Sequence, residues 1–196
     1  TLSPTTPRYC AGGSVTLTAA PIDGGGPFVY QWTDPNNVAA GTNPTQVANI
    51  PGLWQVSITD ACGGPAATNS VTVIEDAIPT AAANAGPACA GQQLNLTGGT
   101  DIGTIFAWTG PNGFSSTLQN PVIPGLTNAN SGNYTFTAST AAPASCSSTP
   151  SVVPVVVGPS PTITVPAAAS PNPICTGGNS QLSVTAIAPG YTVAPI

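Results

Sequence analysis

Tyr9-Cys10-Ala11-Gly12-Gly13-Ser14-Val15-Thr16-Leu17-Thr18 is a phrase this chain uses more than once. It returns as Ala88-Cys89-Ala90-Gly91-Gln92-Gln93-Leu94-Asn95-Leu96-Thr97, with Cys89 lying 79 residues after Cys10. It opens again at Ile174-Cys175-Thr176-Gly177-Gly178-Asn179-Ser180-Gln181-Leu182-Ser183, with Cys175 a further 86 residues on. That period is too long for a solenoid and suits small β-domains in series, each with its own core. After each glycine the apolar residues alternate with polar ones, as in Val15, Leu17 and Ala19, or Leu94 and Leu96. Period-2 alternation marks a strand with one buried face.

Working outward, the first repeat places Phe28, Tyr30 and Trp32 on one face and Trp54, Val56 and Ile58 on another, with Val71 and Val73 closing it. The second repeats the grammar with 105–108, a short edge at 114–117, a strand near 118–123, Tyr134, Phe136 and Ala138 on one face, and a last strand over 151–157. Pro154 interrupts that last strand, so it belongs at an edge or bulge. Turn clusters such as Asp34-Pro35-Asn36-Asn37 and Gly110-Pro111-Asn112-Gly113 separate the runs. About seven short strands per repeat, with turns every 8–12 residues, predict a β-sandwich. Trp32 and Trp108 hold equivalent third-strand positions, and with Trp54 and Tyr134 they are the expected core aromatics.

Proline marks the boundaries: Glu75-Asp76-Ala77-Ile78-Pro79 and Gly158-Pro159-Ser160-Pro161. The expected domains are 1–76, 77–158 and an incomplete third β-domain over 159–196. Val193 in the third repeat stands where the first two carry tryptophan. Short linkers stiffened by proline favour an extended array.

Composition narrows the function. Only 4% of residues are charged, with one Arg, no Lys and no His, and the formal charge is −5. Nucleic-acid binding needs several cations to displace counterions, so it is excluded. No apolar run nears the roughly 20 residues that span a bilayer, so membrane insertion is not expected. No signal peptide pattern opens the sequence, which reads as a mature or internal piece of something longer.

Chemistry is equally sparse. Serines are plentiful, but no His or Lys is present to activate them, and the chain reads as non-catalytic with no cofactor. Glu75-Asp76 is the one adjacent acidic pair. It is a weak calcium candidate, because Ca²⁺ wants six to eight oxygens and no D-x-D-x-D run supplies them. In an extended strand the two side chains point to opposite faces, which argues against a carboxylate pair flanking one substrate bond.

Five cysteines, with no His and no C-x-x-C, point to disulfides in an oxidising compartment rather than to zinc. Cys10, Cys62, Cys89 and Cys146 give each of the first two repeats one early and one late cysteine, 52 and 57 residues apart. The preferred pairing is within a repeat, Cys10 with Cys62 and Cys89 with Cys146. A head-to-tail string leaves a second connectivity open, in which Cys10 bonds Cys146 and the other two bond neighbouring repeats.

Tyr30-Gln31-Trp32-Thr33, the run Ile50-Pro51-Gly52-Leu53-Trp54-Gln55-Val56-Ser57-Ile58-Thr59-Asp60 and Cys62 resemble the repeats of SprB-type gliding-motility adhesins. Trp108-Thr109-Gly110-Pro111-Asn112-Gly113-Phe114, Asn120-Pro121 and Ser131-Gly132-Asn133-Tyr134 resemble immunoglobulin-like or PKD-like repeats of very large Bacteroidetes surface proteins. The resemblance covers nearly all of the first two repeats and the opening of the third. It implies an all-β chain of tandem immunoglobulin-like sandwiches, located at the cell surface or secreted, with type IX export as the implied route. It also implies that Trp54 fills the place where the family has tyrosine.

Three functions fit these residues. The leading one is a structural stalk or fibre segment of a large adhesin, whose partners are neighbouring domains of the same long chain. A second is a carbohydrate- or surface-binding module that stacks surface glycans on Trp54, Phe114 or Tyr191. A third is a filament subunit that donates strands to other adhesin chains.

Overall fold

The structure is a computed structural model that describes residues 1–160, 162–170 and 181–187, the last two stretches as strand paths alone. Cys175, Tyr191 and Val193 lie outside the described residues. The chain is all-β; among the described residues the one helical element is a 3-10 turn at Asn128–Asn130.

The first eight strands are β1 (Leu2–Ser3), β2 (Arg8–Cys10), β3 (Val15–Ala19), β4 (Val29–Thr33), β5 (Ala39–Gly41), β6 (Thr45–Ala48), β7 (Gly52–Thr59) and β8 (Ala67–Asp76). They form two sheets, in the orders β1-β3-β6 and β2-β8-β7-β4-β5. Neighbours pair antiparallel except β2 with β8, which run parallel, with Cys10 opposite Asp76. An opening strand that leaves one sheet to join the other, beside the last strand, completes an immunoglobulin-like order. Alternation decides the inward faces: Leu17, Trp32, Trp54, Val56 and Val73 are buried, while Thr16, Gln31 and Gln55 between them are exposed. Each buried large side chain stabilises by roughly 1.5–3 kcal/mol.

The next seven are β9 (Ala82–Ala85), β10 (Leu94–Gly99), β11 (Ile105–Thr109), β12 (Ser115–Ser116), β13 (Val122–Ile123), β14 (Gly132–Ser139) and β15 (Ser151–Val155). Their orders, β13-β10-β9 and β12-β11-β14-β15, reproduce the first set. An isolated parallel bridge between Cys89 and Gly158 stands where β2 pairs with β8. Pro154 lies in β15, the edge strand, opposite Asn133, so its missing N–H breaks no interior ladder. Beyond it, β16 (Thr162–Ser170) and β17 (Gln181–Ile187) pair antiparallel.

The two sets of strands anchor their tryptophans identically. Trp32 Nε1 donates to the Asn43 carbonyl at 2.8 Å, and Trp108 Nε1 donates to the Gln119 carbonyl at 3.1 Å, each eleven residues on. A buried indole N–H needs such a partner, or its desolvation offsets the gain from burial. Trp108 also packs against Phe136, ring centroids 4.9 Å apart.

By contact the chain divides along lines other than the sequence repeats. One compact unit holds Thr1–Ala81 with Gly99–Phe106 and Thr137–Pro150; the other holds Ala82–Gly98, Ala107–Phe136 and the chain from Ser151 onward. The segments that join the first unit carry Asp101 and Cys146, both of which bond to residues of 1–81.

Candidate functional site

The polar and covalent chemistry concentrates within the first compact unit, at the end of β2. Cys10 is bonded to Cys146, closing a separation of 136 residues. This is the second of the two connectivities open to the sequence, and it corrects the pairing within repeats. Cys62 is exposed and Cys89 half-buried, and both are free thiols. The physical reason lies in the strand order. The early cysteine sits on β2 beside the last strand, at one end of its sandwich, while Cys62 follows β7 at the opposite end. A disulfide requires Cα atoms within about 7 Å, and Cys10 and Cys146 stand 5.5 Å apart.

Around that bond the backbone is pinned. Ala11 N–H donates to the Asp76 carbonyl at 2.9 Å and Gly13 N–H to the Cys10 carbonyl at 2.8 Å. Arg8 Nε donates to Asp76 Oδ2 at 2.7 Å, and its Nη2 bonds the other carboxylate oxygen. This is a bidentate pair, the stronger geometry for arginine and carboxylate. The guanidinium holds the Asp76 carboxyl below the usual carboxylate range, chiefly through that hydrogen bond. Nearby, Asp101 Oδ1 accepts the N–H groups of Thr80 and Ile102, each at 2.8 Å, which lowers its pKa as well. A cleft of about 230 Å³ opens here, lined by Arg8, Asp76, Ala77, Ile102 and 140–144.

The calcium candidates do not converge on one point. Asp76 is engaged by Arg8, whereas Glu75 Oε1 accepts the Gly12 N–H at 3.3 Å. Among the described residues no group of three or more His, Cys, Asp or Glu side chains is placed to hold a metal ion. Two other acids organise turns: Asp34 Oδ1 accepts from Asn36 and Val38, and Asp60 Oδ1 from Cys62.

Of the aromatics named as stacking platforms, Trp54 is 2% exposed and has no face to offer a sugar. Phe114 is half-buried and meets Tyr134 edge-on, centroids 5.6 Å apart, so its ring covers the end of the core. Trp32, Trp54, Trp108 and Tyr134 all lie inside. Arg8 and Asp101, to which the sequence assigned no such structural role, hold this region together. The signal for Arg8 was its place as the one cation, two residues before a cysteine.

No protein-family model matches the chain, and no curated protein matches it. Among solved structures it is similar to the N-terminal eight immunoglobulin domains of Down syndrome cell adhesion molecule, isoform 1.30.30. That match has 18% identity and a TM-score of 0.49, over 83% of this chain and 24% of that one. A titin I-band fragment, I67–I69, matches with 16% identity and a TM-score of 0.44, over 83% and 66%. An amphioxus IgVJ-C2 molecule matches with 16% identity and a TM-score of 0.36, over 76% and 99%. The chain thus spans about two thirds of the titin fragment and a quarter of the eight-domain fragment of the adhesion molecule. The immunoglobulin-like assignment rests on the strand order built twice in this chain. Among the described residues no helix is long and apolar enough to cross a membrane.

Proposed function

We propose that this chain is a non-catalytic spacer segment of a large secreted or surface-anchored adhesin of the SprB type, which sets the distance between a cell surface and a distal binding region. Its partners on this reading are neighbouring domains of the same long chain, and its compartment is oxidising and extracellular, reached by type IX export. The observation that carries the reading is the repetition itself. One immunoglobulin-like strand order is built twice, with the tryptophan anchors and cysteine corners in matching places. A second support is composition: no His or Lys activates a nucleophile, and a single Arg leaves little for trypsin-like proteases.

Small-angle scattering of the purified chain tests it. A compact globule of this length has a radius of gyration of about 16 Å. The spacer reading expects a clearly larger value and an elongated distance distribution. A value near the globular one would overturn it.

A further inference from the structure

We propose that Asn112 is a self-modifying site: its side-chain amide is lost to the main-chain nitrogen of Gly113, without any enzyme. The product is aspartate or isoaspartate at the centre of the turn between β11 and β12. The inference is independent of the spacer reading.

β11 and β12 pair through Trp108 with Ser116 and Thr109 with Ser115. Beyond them Gly110 N–H donates to the Phe114 carbonyl at 3.0 Å, and Phe114 N–H to the Pro111 carbonyl at 3.1 Å. That closes a turn with Asn112 and Gly113 at its centre, at φ +55° and +70°. Two left-handed central residues are what a type I′ turn needs, and Asn-Gly adopts it readily. Both residues are exposed. Among the described residues neither the Asn112 amide nor the Gly113 N–H has a hydrogen-bond partner. Apart from its chain neighbours, nothing lies within 4 Å of where a Gly113 Cβ would stand. The electrophilic carbon and the nucleophilic nitrogen are therefore adjacent and open to water, and no hydrogen bond to either must break first.

Elsewhere the same residue type is protected. Asn43 and Asn120 precede proline, whose nitrogen has no proton to give up. Asn37 takes a similar left-handed turn in the first set of strands, at φ +61°. There the next residue is the β-branched Val38, and its N–H donates to Asp34 Oδ1 at 2.8 Å. Asn130 is buried, and the Ser131 N–H after it is held by the Asn128 carbonyl at 3.1 Å. The Leu96 N–H after Asn95 is held by the Pro121 carbonyl at 3.0 Å.

In the reaction the Gly113 nitrogen bonds to Asn112 Cγ. The amide nitrogen leaves as ammonia with the proton that Gly113 gives up, and a cyclic imide remains. One water then opens the imide. Opening at the side-chain carbonyl gives aspartate; opening at the main-chain carbonyl gives isoaspartate, whose main chain runs through Cβ. Either product adds one negative charge. Aspartate accepts the left-handed region much as asparagine does. Isoaspartate instead lengthens the main chain inside a loop whose length fixes the hairpin register. The distortion falls on Pro111, which lies against Gly132, and on Phe114, whose ring meets Tyr134.

The test ages the full folded chain at physiological pH and temperature. The chain is then unfolded and cut after aromatic residues, which frees 109–114 as one peptide for mass spectrometry. That peptide should progressively gain the mass of an amide becoming a carboxyl, while the amides of Asn37, Asn95 and Asn130 persist. The heavier peptide should separate into two forms of equal mass, one of them a substrate for isoaspartate methyltransferase. Asn112→Gly, which glycine's freedom at positive φ permits, should abolish both forms with circular dichroism unchanged. Asn112→Asp should melt with the parent, and the isoaspartyl fraction isolated by anion exchange should melt lower. Three results would each overturn the proposal. They are an intact Asn112 amide in the folded chain while the urea-unfolded chain converts, conversion shared evenly with the other asparagines, and an isoaspartyl fraction as stable as the parent.

Discussion

The Trp54 indole N–H donates to the Ile50 carbonyl at 2.9 Å, and the Tyr134 hydroxyl donates to the Asn130 carbonyl at 3.0 Å. Each aromatic thus reaches back four residues and ties its strand to the turn before it, the role tyrosine plays in immunoglobulin sandwiches. The indole reproduces the tie with different chemistry, which is why tryptophan is tolerated there. Tyr134→Phe should lower stability by about 1–2 kcal/mol in urea denaturation, because the Asn130 carbonyl loses its buried donor. Tyr9 provides the contrast: it is 6% exposed, and among the described residues its hydroxyl has no hydrogen-bond partner. Tyr9→Phe should leave stability unchanged or raise it, and a loss equal to that of Tyr134→Phe would contradict this account.

Two residues before each of these aromatics lies a glycine with a proline against it. Gly52 has φ +129° and Gly132 has φ +142°, and an added Cβ would meet Pro35 at 2.8 Å and Pro111 at 2.7 Å. Backbone conformation and contact both exclude a side chain there. Gly52→Ala and Gly132→Ala should each cost about 1–3 kcal/mol. Thermal melts in which either variant matched the parent would show that the turn can shift.

Breaking the disulfide should matter far more than removing the free thiols. Closing a loop of this size stabilises by about 5 kcal/mol in the chain-entropy model. The Cys10→Ser, Cys146→Ser double variant should therefore unfold at much lower urea, and reductant should shift the parent the same way. Cys62→Ser and Cys89→Ser should leave the monomer's midpoint in place.

Acid and alkali should each destabilise the fold, with a flat region between. Asp76 and Asp101 have depressed pKa values, so their contribution is present above the ordinary carboxylate value of about 4 and is lost as pH falls through the folded one. Burial raises the pKa of Tyr9 and Tyr134, so their contribution is lost as pH climbs past about 10. Between about pH 5 and 9 the melting temperature should hold constant, and Asp76→Asn should blunt the acid limb. A marked slope at neutral pH would show that another group titrates.

Trypsin reports on β2. Arg8 is the one residue it can cleave after, and that residue is paired in β2 and bound to Asp76. The native chain should survive prolonged digestion, while the urea-unfolded chain should lose its first eight residues, visible by mass spectrometry. Rapid cleavage of the native form would mean that β2 detaches.

Most of the fold was legible because it follows from alternation. Leu17, Trp32, Val56, Leu94 and Trp108 announce their faces by the polar residues on either side. What sequence could not give is pairing across distance. Arg8-Tyr9-Cys10 is three residues long and carries no periodic signal, yet its parallel pairing with β8 decides where Cys10 points. The disulfide follows from that placement, so the preferred connectivity failed with it. The strand expected over 118–123 shrinks to Val122–Ile123 for a local reason. Leu96 N–H still donates to the Pro121 carbonyl and Gly98 N–H to the Gln119 carbonyl, but the bond to the Gly98 carbonyl comes from the Gln119 side chain, so the backbone ladder runs in one direction only. Pro121, lacking an N–H, could not have continued it.

The Cys10–Cys146 bond also sets what a pulling force can do. Load entering at one terminus crosses from sulfur to sulfur and bypasses everything enclosed between the two cysteines, a sequence separation of 136 residues. Roughly 450–490 Å of contour is locked away from extension until a reductant cuts the link. Such a segment yields little under traction in an oxidising medium and becomes highly extensible in a reducing one.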